Sequence, residues 1–340
     1  MGFEKFAIIG ADCISTSIAL NLKERKDPPH IVGYDKEALA ADLVRSMGAF
    51  DDIELKVDRT CRDADFVLVA APLSSIRDIF SAIAPALKPG CFVTDTARLK
   101  RPVMRWAQEL LPDNVYFAGG HIVLNPVLVG LNAEMGLDLA SADLLTEALY
   151  CVTVPYETPR GLIDVFADLI KSFDAQPFFI DAAEHDGLQS GIDGLPDLLA
   201  IALLRSTIDA PGWEEMRKFA DHRFASATEA AVDVDQRQTD MLLNRENIVQ
   251  RLNALISELL ELRDLLDRND DEALEQCLAQ SMRGRSRWLR ERAQGMWVGE
   301  HSADVESVPP LGQQIKQIFF GDRTSRAEKR AEQRAEKKDR

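Results

Sequence analysis

The first half of the chain alternates short apolar runs with segments of helical periodicity. Five runs have the length and the β-branched or aromatic content of buried strands: residues 6–9, 30–34, 66–70, 91–94 and 115–118. Strands that alternate with helices join through right-handed crossovers into a parallel sheet covered by helices on both faces. The pattern therefore predicts a doubly wound α/β domain.

The second half changes character after residue 182. Strands at 150–154 and 177–180, on either side of a helix at 160–173, are predicted to extend the same sheet. Beyond them the apolar spacing is helical throughout: 195–207, 213–230, 239–268 and 271–294. We therefore predict three parts: an α/β domain over 1–183, an all-helical domain over 184–321 that forms a homodimer, and a charged tail over 322–340, helical or disordered.

Composition and charge exclude several classes of protein. The net charge of -16 and the pI near 4.8 oppose binding to phosphate backbones, so we expect no nucleic-acid partner. The five cysteines form no C-x-x-C pair, and neither they nor the five histidines have metal-ligand spacing. We therefore expect reduced, buried thiols and no metal site. No apolar run is long enough to span a membrane, which favours a soluble cytoplasmic protein.

The turn after the first strand resembles a degenerate phosphate-binding loop. It reads Gly10-Ala11-Asp12-Cys13-Ile14-Ser15, and of the three glycines typical of a Rossmann dinucleotide-binding fold only Gly10 remains. Asp12 stands where a bare backbone would approach the pyrophosphate, so its carboxylate would repel that group. Alternatively, Asp12 caps the following helix. We expect Gly10, Ala11, Asp12 and Ile14 to line a cofactor cleft.

Asp35, at the end of the second strand, favours NAD over NADP. A carboxylate there accepts hydrogen bonds from the ribose hydroxyls and repels a 2′-phosphate, although the adjacent Lys36 weakens this preference. Ala71 and Pro72 follow the strand at 66–70, and we expect them to complete the cofactor cleft.

Several stretches, in order, resemble the prephenate and arogenate dehydrogenase family, two-domain enzymes of tyrosine biosynthesis. The matching stretches are Ile8-Ile9-Gly10, Ser17-Ile18-Ala19-Leu20-Asn21-Leu22-Lys23, Val32-Gly33-Tyr34-Asp35, Thr94-Asp95-Thr96-Ala97-Arg98-Leu99-Lys100, Gly119-Gly120-His121, Glu184-His185-Asp186, Leu195-Pro196 and Asn244-Arg245-Glu246-Asn247. The resemblance implies an NAD-dependent oxidative decarboxylation of prephenate or a related cyclic hydroxy acid. It also implies that His121 is the base, with Lys100 supporting the site.

The chain departs from this family at several chemical positions. Arg98 replaces a serine expected beside the reacting hydroxyl, and Asp193-Gly194-Leu195-Pro196-Asp197 replaces Ser-His-Leu-Pro-His. The arginine expected to clamp a substrate carboxylate falls near Thr228, with Arg223 as the nearest candidate. We therefore take Arg98 as a catalytic candidate and Arg223, Asp193 and Asp197 as substrate-binding candidates.

These departures leave more than one interpretation open. The chain is either a working dehydrogenase or a catalytically degenerate paralogue kept as a binding or regulatory subunit. A β-hydroxyacid dehydrogenase is less favoured, because no Gly-Lys-Asn cluster occurs between residues 184 and 294. Two contacts are also predicted: an Arg98–Asp12 ion pair, and a His185–Asp186 pair that is either a hinge contact or an Asp orienting a His.

Overall fold

The computed structural model describes residues 3–125, 135–229 and 234–293, and its core is one eight-stranded sheet. The strands are β1 (Lys5–Ile9), β2 (His30–Tyr34), β3 (Asp52–Ile53), β4 (Phe66–Val69), β5 (Phe92–Asp95), β6 (Tyr116–Val123), β7 (Leu149–Thr153) and β8 (Gln176–Phe179). Their order is β3-β2-β1-β4-β5-β6-β7-β8. Neighbours are parallel except for β6 and β7. The predicted Rossmann-type doubly wound sheet and its two-strand extension are confirmed.

Helices cover both faces of the sheet, as the alternating apolar pattern requires. They are α1 (Cys13–Lys23), α2 (Ala38–Ser46), α3 (Val57–Thr60), α4 (Leu73–Ile83), α5 (Arg101–Leu110) and α6 (Arg160–Lys171). Along β1, Phe6 and Ile8 belong to one buried cluster while Ala7 and Ile9 belong to another on the opposite face. This two-sided burial is what a parallel strand needs between two helical layers.

The chain after β8 is helical. It contains α7 (Ala182–Gln189), a π-helical turn (Ser190–Gly194), α8 (Leu195–Thr207), α9 (Trp213–Met216), α10 (His222–Thr228), α11 (Val234–Leu243), α12 (Arg245–Asp267) and α13 (Asp271–Ala293). The predicted all-helical second part is confirmed within residues 182–229 and 234–293. The predicted tail and the segment from residue 294 onward lie outside the described residues. None of the helices described is long and apolar enough to cross a membrane.

Two predicted helices are each divided in the structure. The segment predicted at 213–230 forms α9 and α10, because the Asp221 side chain accepts a hydrogen bond from the Arg223 backbone N–H and starts a new helix. The segment predicted at 239–268 breaks at Asn244, whose side-chain Nδ2 donates to the carbonyl of Asp186 at 2.8 Å. Apolar spacing alone did not show either break, since both depend on a polar side chain.

A buried ion pair fixes the ends of β5 and β6. Lys100 Nζ lies 2.6 Å from Asp95 Oδ2, both side chains are fully buried, and the same ammonium donates to the carbonyl of Gly120. A Cβ added to Gly119 would lie 3.1 Å from the Lys100 chain, and one added to Gly120 would lie 2.6 Å from the Asp95 carbonyl oxygen. Gly119 therefore leaves room for the Lys100 side chain, and Gly120 leaves room for the backbone of Asp95.

Replacing Lys100 with methionine should destabilise the fold by about 3–5 kcal/mol, because it leaves the Asp95 carboxylate buried without its counter-charge. The matched double variant Asp95→Asn/Lys100→Met removes both charges and should lose much less. Urea unfolding followed by circular dichroism measures both. Equal losses in the single and double variants would show that the pair itself contributes little.

Candidate functional site

The turn after β1 requires a glycine at its first position. Gly10 has a φ of +98°, and a Cβ there would lie 1.8 Å from the carbonyl oxygen of Ala70. Any side chain would therefore push β1 and the end of β4 apart. Ala71 and Pro72 follow β4 at this same edge, and Pro72 precedes α4. The glycine turn, Ala71 and Pro72 thus meet at the carboxyl end of the sheet, where α/β folds bind ligands.

Asp12 is the N-cap of α1. Its carboxylate accepts a hydrogen bond from the Ser15 backbone N–H at 2.7 Å and another from the Ile14 N–H, while Ser15 Oγ accepts from the Asp12 N–H at 3.1 Å. This reciprocal arrangement is a capping box. The predicted capping role is confirmed, and it means that a carboxylate of this chain holds the helix N-terminal donors that an anion would otherwise use.

Asp35 connects the end of β2 to the glycine turn. Its Oδ2 accepts a hydrogen bond from the Ala11 backbone N–H at 2.7 Å, and its Oδ1 accepts one from the Glu37 N–H at 2.7 Å. Each oxygen keeps a further lone pair for another donor. Asp35 therefore holds the turn in place and still has capacity for ligand hydroxyls.

His121 lies at the end of a chain of three hydrogen-bonded side chains. Its Nδ1 is 3.0 Å from His185 Nε2, and His185 Nδ1 is 3.0 Å from Asp186 Oδ1. The Asp186 carboxylate also accepts hydrogen bonds from the backbone N–H groups of Lys100 and Arg101, at 2.7 and 2.9 Å. Of the two predicted alternatives for the His185–Asp186 pair, the structure has the orienting contact, with both side chains buried.

The order of these contacts sets the positions of the ring protons. A carboxylate can only accept, so His185 carries its proton on Nδ1 and offers a lone pair at Nε2. His121 then donates from Nδ1, which leaves its own Nε2 as the acceptor nitrogen of the ring. The Gln189 amide nitrogen lies 2.8 Å from His121 Nδ1 and 3.3 Å from Nε2. Because the Nδ1 proton points to His185, this amide can donate only to Nε2, and a substrate hydroxyl must replace that long contact.

His121 is neutral near physiological pH. Burial lowers its pKa well below the ordinary value, and the electrostatic effects of His185, Lys100 and Arg98 lower it further. A neutral imidazole with an open Nε2 can accept a proton from a hydroxyl group. The site therefore offers a general base for removing a proton from a hydroxyl group.

A polar pocket adjoins His121 through Gln189. It lies between the turn after β5, the π turn and helices α11 and α12, and its charged lining residues are Arg98, Asp193, Asp197 and Asp240. Arg98 Nη1 is 4.0 Å from Asp193 Oδ2, and both side chains are half exposed. The π turn brings Asp193 and Gly194 into this wall, a common use of such turns at functional sites.

The pocket carries more acidic than basic groups. Asp197 forms an ion pair with Arg237 of α11, and burial raises the pKa of the Asp197 carboxyl against the opposing effect of that arginine. Asp240 Oδ1 is buried and, among the described residues, has no hydrogen-bond partner. Burial raises the pKa of Asp240 to about 6. The carboxylates of Asp193, Asp197 and Asp240 therefore outnumber the guanidinium groups of Arg98 and Arg237.

Two predicted contacts differ in the structure. Arg98 pairs with Asp193 and not with Asp12, because the Asp12 carboxylate is held by its own helix N-terminus. Arg223 lies exposed on α10, and the arginine that reaches the pocket wall is Arg237, which sequence counting missed. Arg237 is seven residues before Asn244, two helical turns along α11.

Comparison with protein families identifies both halves of the chain. Residues 18–178 match the family model described as "Prephenate dehydrogenase, nucleotide-binding domain", and residues 181–280 match "Prephenate dehydrogenase, dimerization domain". Among curated proteins, the chain is 25% identical over 270 residues to a prephenate dehydrogenase of Bacillus subtilis, covering 78% of this chain and 71% of the relative. It is also 25% identical over 286 residues to a cyclohexadienyl dehydrogenase of Zymomonas mobilis, covering 83% of this chain and 95% of the relative.

Solved structures show the same fold. A prephenate dehydrogenase from Aquifex aeolicus, in complex with hydroxyphenyl propionate and NAD+, superposes with a TM-score of 0.74 at 20% identity over 84% of this chain and 99% of its own. An arogenate dehydrogenase from Synechocystis gives a TM-score of 0.68 at 19% identity over 84% of this chain and 99% of its own.

Substituting Asp12 tests whether its carboxylate opposes cofactor binding. Asp12→Asn keeps a side-chain oxygen for the cap and removes the charge, so the affinity for NAD should rise by roughly tenfold or more. Asp12→Gly should bind at least as well but lose roughly a few tenths of a kcal/mol of stability with the cap. Calorimetric titration with NAD measures the affinities. Unchanged affinity in both variants would contradict the repulsion argument.

Proposed function

This chain belongs to the prephenate dehydrogenase family, and we propose that it catalyses the NAD-dependent oxidative decarboxylation of a cyclohexadienyl substrate of the prephenate and arogenate class. One observation carries the proposal: the hydrogen-bonded series Asp186–His185–His121, which supplies a neutral imidazole with Nε2 as its acceptor nitrogen. Several residues around these three side chains depart from the family's motifs. The base, His121, is nevertheless in contact with His185, which orients it, and His185 is in contact with Asp186.

His121 accepts the proton of the ring hydroxyl at Nε2. As this proton leaves, the carbinol carbon gives up a hydride, the ring carboxylate leaves as carbon dioxide, and its bonding electrons complete the aromatic ring, whose phenolate oxygen then takes the proton back from Nε2. While Nε2 holds that proton, the Nδ1 proton of His121 stays hydrogen-bonded to His185 Nε2, so the imidazolium is stabilised by the Asp186 carboxylate through His185. Lys100 is a positioning residue, since its ammonium holds the carbonyl of Gly120 next to His121.

The residues at the carboxyl edge of the sheet fit a nicotinamide dinucleotide, except that one carboxylate opposes binding of its pyrophosphate. When bound, that cofactor supplies the hydride acceptor. Gly10 gives the close backbone turn, and Asp35 has lone pairs for the ribose hydroxyls and a charge that repels a 2′-phosphate, which supports NAD over NADP. The opposing carboxylate is that of Asp12, which must leave the helix N-terminus or bind a proton before a pyrophosphate takes its place.

The acidic pocket supports a substrate that carries an ammonium group. Asp193, Asp197 and Asp240 outnumber Arg98 and Arg237, and Asp240 Oδ1 is a buried acceptor without a donor among the described residues. An ammonium donor would satisfy that oxygen, while Arg98 binds a carboxylate. A keto acid offers no such donor. We therefore propose that the amino-acid substrate, arogenate, is preferred over prephenate.

The last two described helices support assembly into a homodimer. Apolar side chains remain exposed along α12 and α13: Ile256, Leu259, Leu260, Leu266, Leu278, Met282 and Trp288. Exposed apolar side chains that cluster on one surface mark protein–protein interaction sites. The family model over residues 181–280 is described as a dimerization domain. We propose that two copies of the chain bury these faces against each other.

Steady-state assays of the purified full-length chain test the function directly. NADH formation is measured with prephenate and with arogenate, each with NAD and with NADP. We expect turnover with NAD, a higher kcat/KM for arogenate, and a loss of roughly 100-fold or more in kcat for His121→Asn.

Asp240→Asn provides the control for substrate choice, because it removes a pocket charge without touching His121. It should reduce kcat/KM for arogenate more than for prephenate. Absence of turnover with either substrate, together with intact folding, would support the degenerate paralogue instead.

A further inference from the structure

Cys151 brings a thiol to the two histidines of the site. In the antiparallel pairing of β6 and β7, Cys151 lies directly opposite His121, so their side chains leave the same face of the sheet. His185 approaches from α7. One ligand atom from each of these three residues lies within 4.8 Å of the other two.

We propose that His121, Cys151 and His185 form a binding site for a borderline-soft transition-metal ion such as Zn2+, and that the bound ion switches off the catalytic base. Two imidazole nitrogens and one thiolate are ligands that zinc prefers, and three protein ligands leave a fourth position for water.

The three side chains need only small movements to coordinate a metal ion. Tetrahedral coordination with Zn–N bonds of about 2.0–2.1 Å places two nitrogens about 3.3 Å apart. His121 Nδ1 and His185 Nε2 are 3.0 Å apart, so a small separation of the two rings admits the ion. His185 Nδ1 already donates to Asp186. A carboxylate behind a ligating histidine is the usual outer-shell support of a zinc site.

The position of the ring proton explains the inhibition. In the free enzyme His121 carries its proton on Nδ1 and keeps Nε2 open. A metal bound at Nδ1 takes that lone pair, so the ring proton moves to Nε2 and the base is lost. The Cys151 thiol gives its own proton to solvent when the thiolate binds the ion. Burial raises the pKa of the Cys151 thiol to about 11, so this proton must be displaced and the affinity is moderate.

Binding is tested by cobalt and zinc titration of the full-length chain after chelator treatment. Co2+ should give a thiolate-to-cobalt charge-transfer band with one ion per chain, and Zn2+ should displace it. Cys151→Ser should lose the band and weaken Zn2+ binding by roughly 100-fold, more than the loss of an outer-shell partner costs. Cys277→Ser is the matched control, since Cys277 is a partly exposed thiol on α13, and it should behave as the wild type.

Three results would overturn the site: a wild-type protein without the cobalt band, a band that persists in Cys151→Ser, or a band lost in Cys277→Ser. The wild-type spectrum decides the matter even where Cys151→Ser fails to fold.

The inhibitory effect rests on the proposed function, whereas the spectrum does not. Zinc should inhibit the wild type and Cys277→Ser, and Cys151→Ser should need roughly 100-fold more zinc for half-inhibition, each rate being compared with that of the same variant without zinc. A cobalt band without any dehydrogenase turnover would leave the site standing and the proposed function overturned. Turnover that saturating zinc leaves unchanged would contradict the switch.

Discussion

The hydrogen bonds of the Asp186 carboxylate hold the sheet, the helical region and the site together. This fully buried group accepts the backbone N–H groups of Lys100 and Arg101, which begin α5, and it accepts the Nδ1 proton of His185. The carbonyl of the same residue accepts Asn244 Nδ2, at the break between α11 and α12. One residue on α7 therefore joins the turn after β5, the two long helical segments and the imidazole chain. A buried carboxylate with this many donors cannot shift without leaving several of them unpaired.

The same arrangement explains why His121 can differ chemically from an ordinary surface histidine. Its position comes from β6, where Gly119 leaves room for the buried Lys100, and its neutral state comes from His185 and from burial. The Lys100 charge is balanced by Asp95, so the sheet edge contains a neutralised pair beneath a neutral imidazole. The base is thus oriented by two buried polar networks, one from the sheet and one from the helical region.

Local patterns predicted much of this molecule. The apolar alternation of β1, the glycine turn with its Asp12 cap and the strand-end placement of Asp35 all follow from neighbouring residues, and the structure agrees with them. His121 lies inside β6, which continues to Val123. The contacts that the sequence did not reveal are long-range and polar. Arg237 pairs with Asp197 across a sequence separation of 40 residues, and Cys151 reaches His121 only through the register of an antiparallel pair. Neither contact can be predicted from residue spacing along the sequence alone.

The central claim is that His185 makes His121 a base by accepting a hydrogen bond from its Nδ1–H, which keeps Nε2 unprotonated. The most direct test is kcat/KM for the His185→Gln and His185→Leu variants, both checked for folding. Gln places an amide oxygen near the position of the imidazole Nε2 and can accept the same proton, so we predict activity within roughly tenfold of the wild type. Leu offers no acceptor and should lose on the order of 100-fold or more, as removal of general-base function does. Equal activities in the two variants would contradict the account.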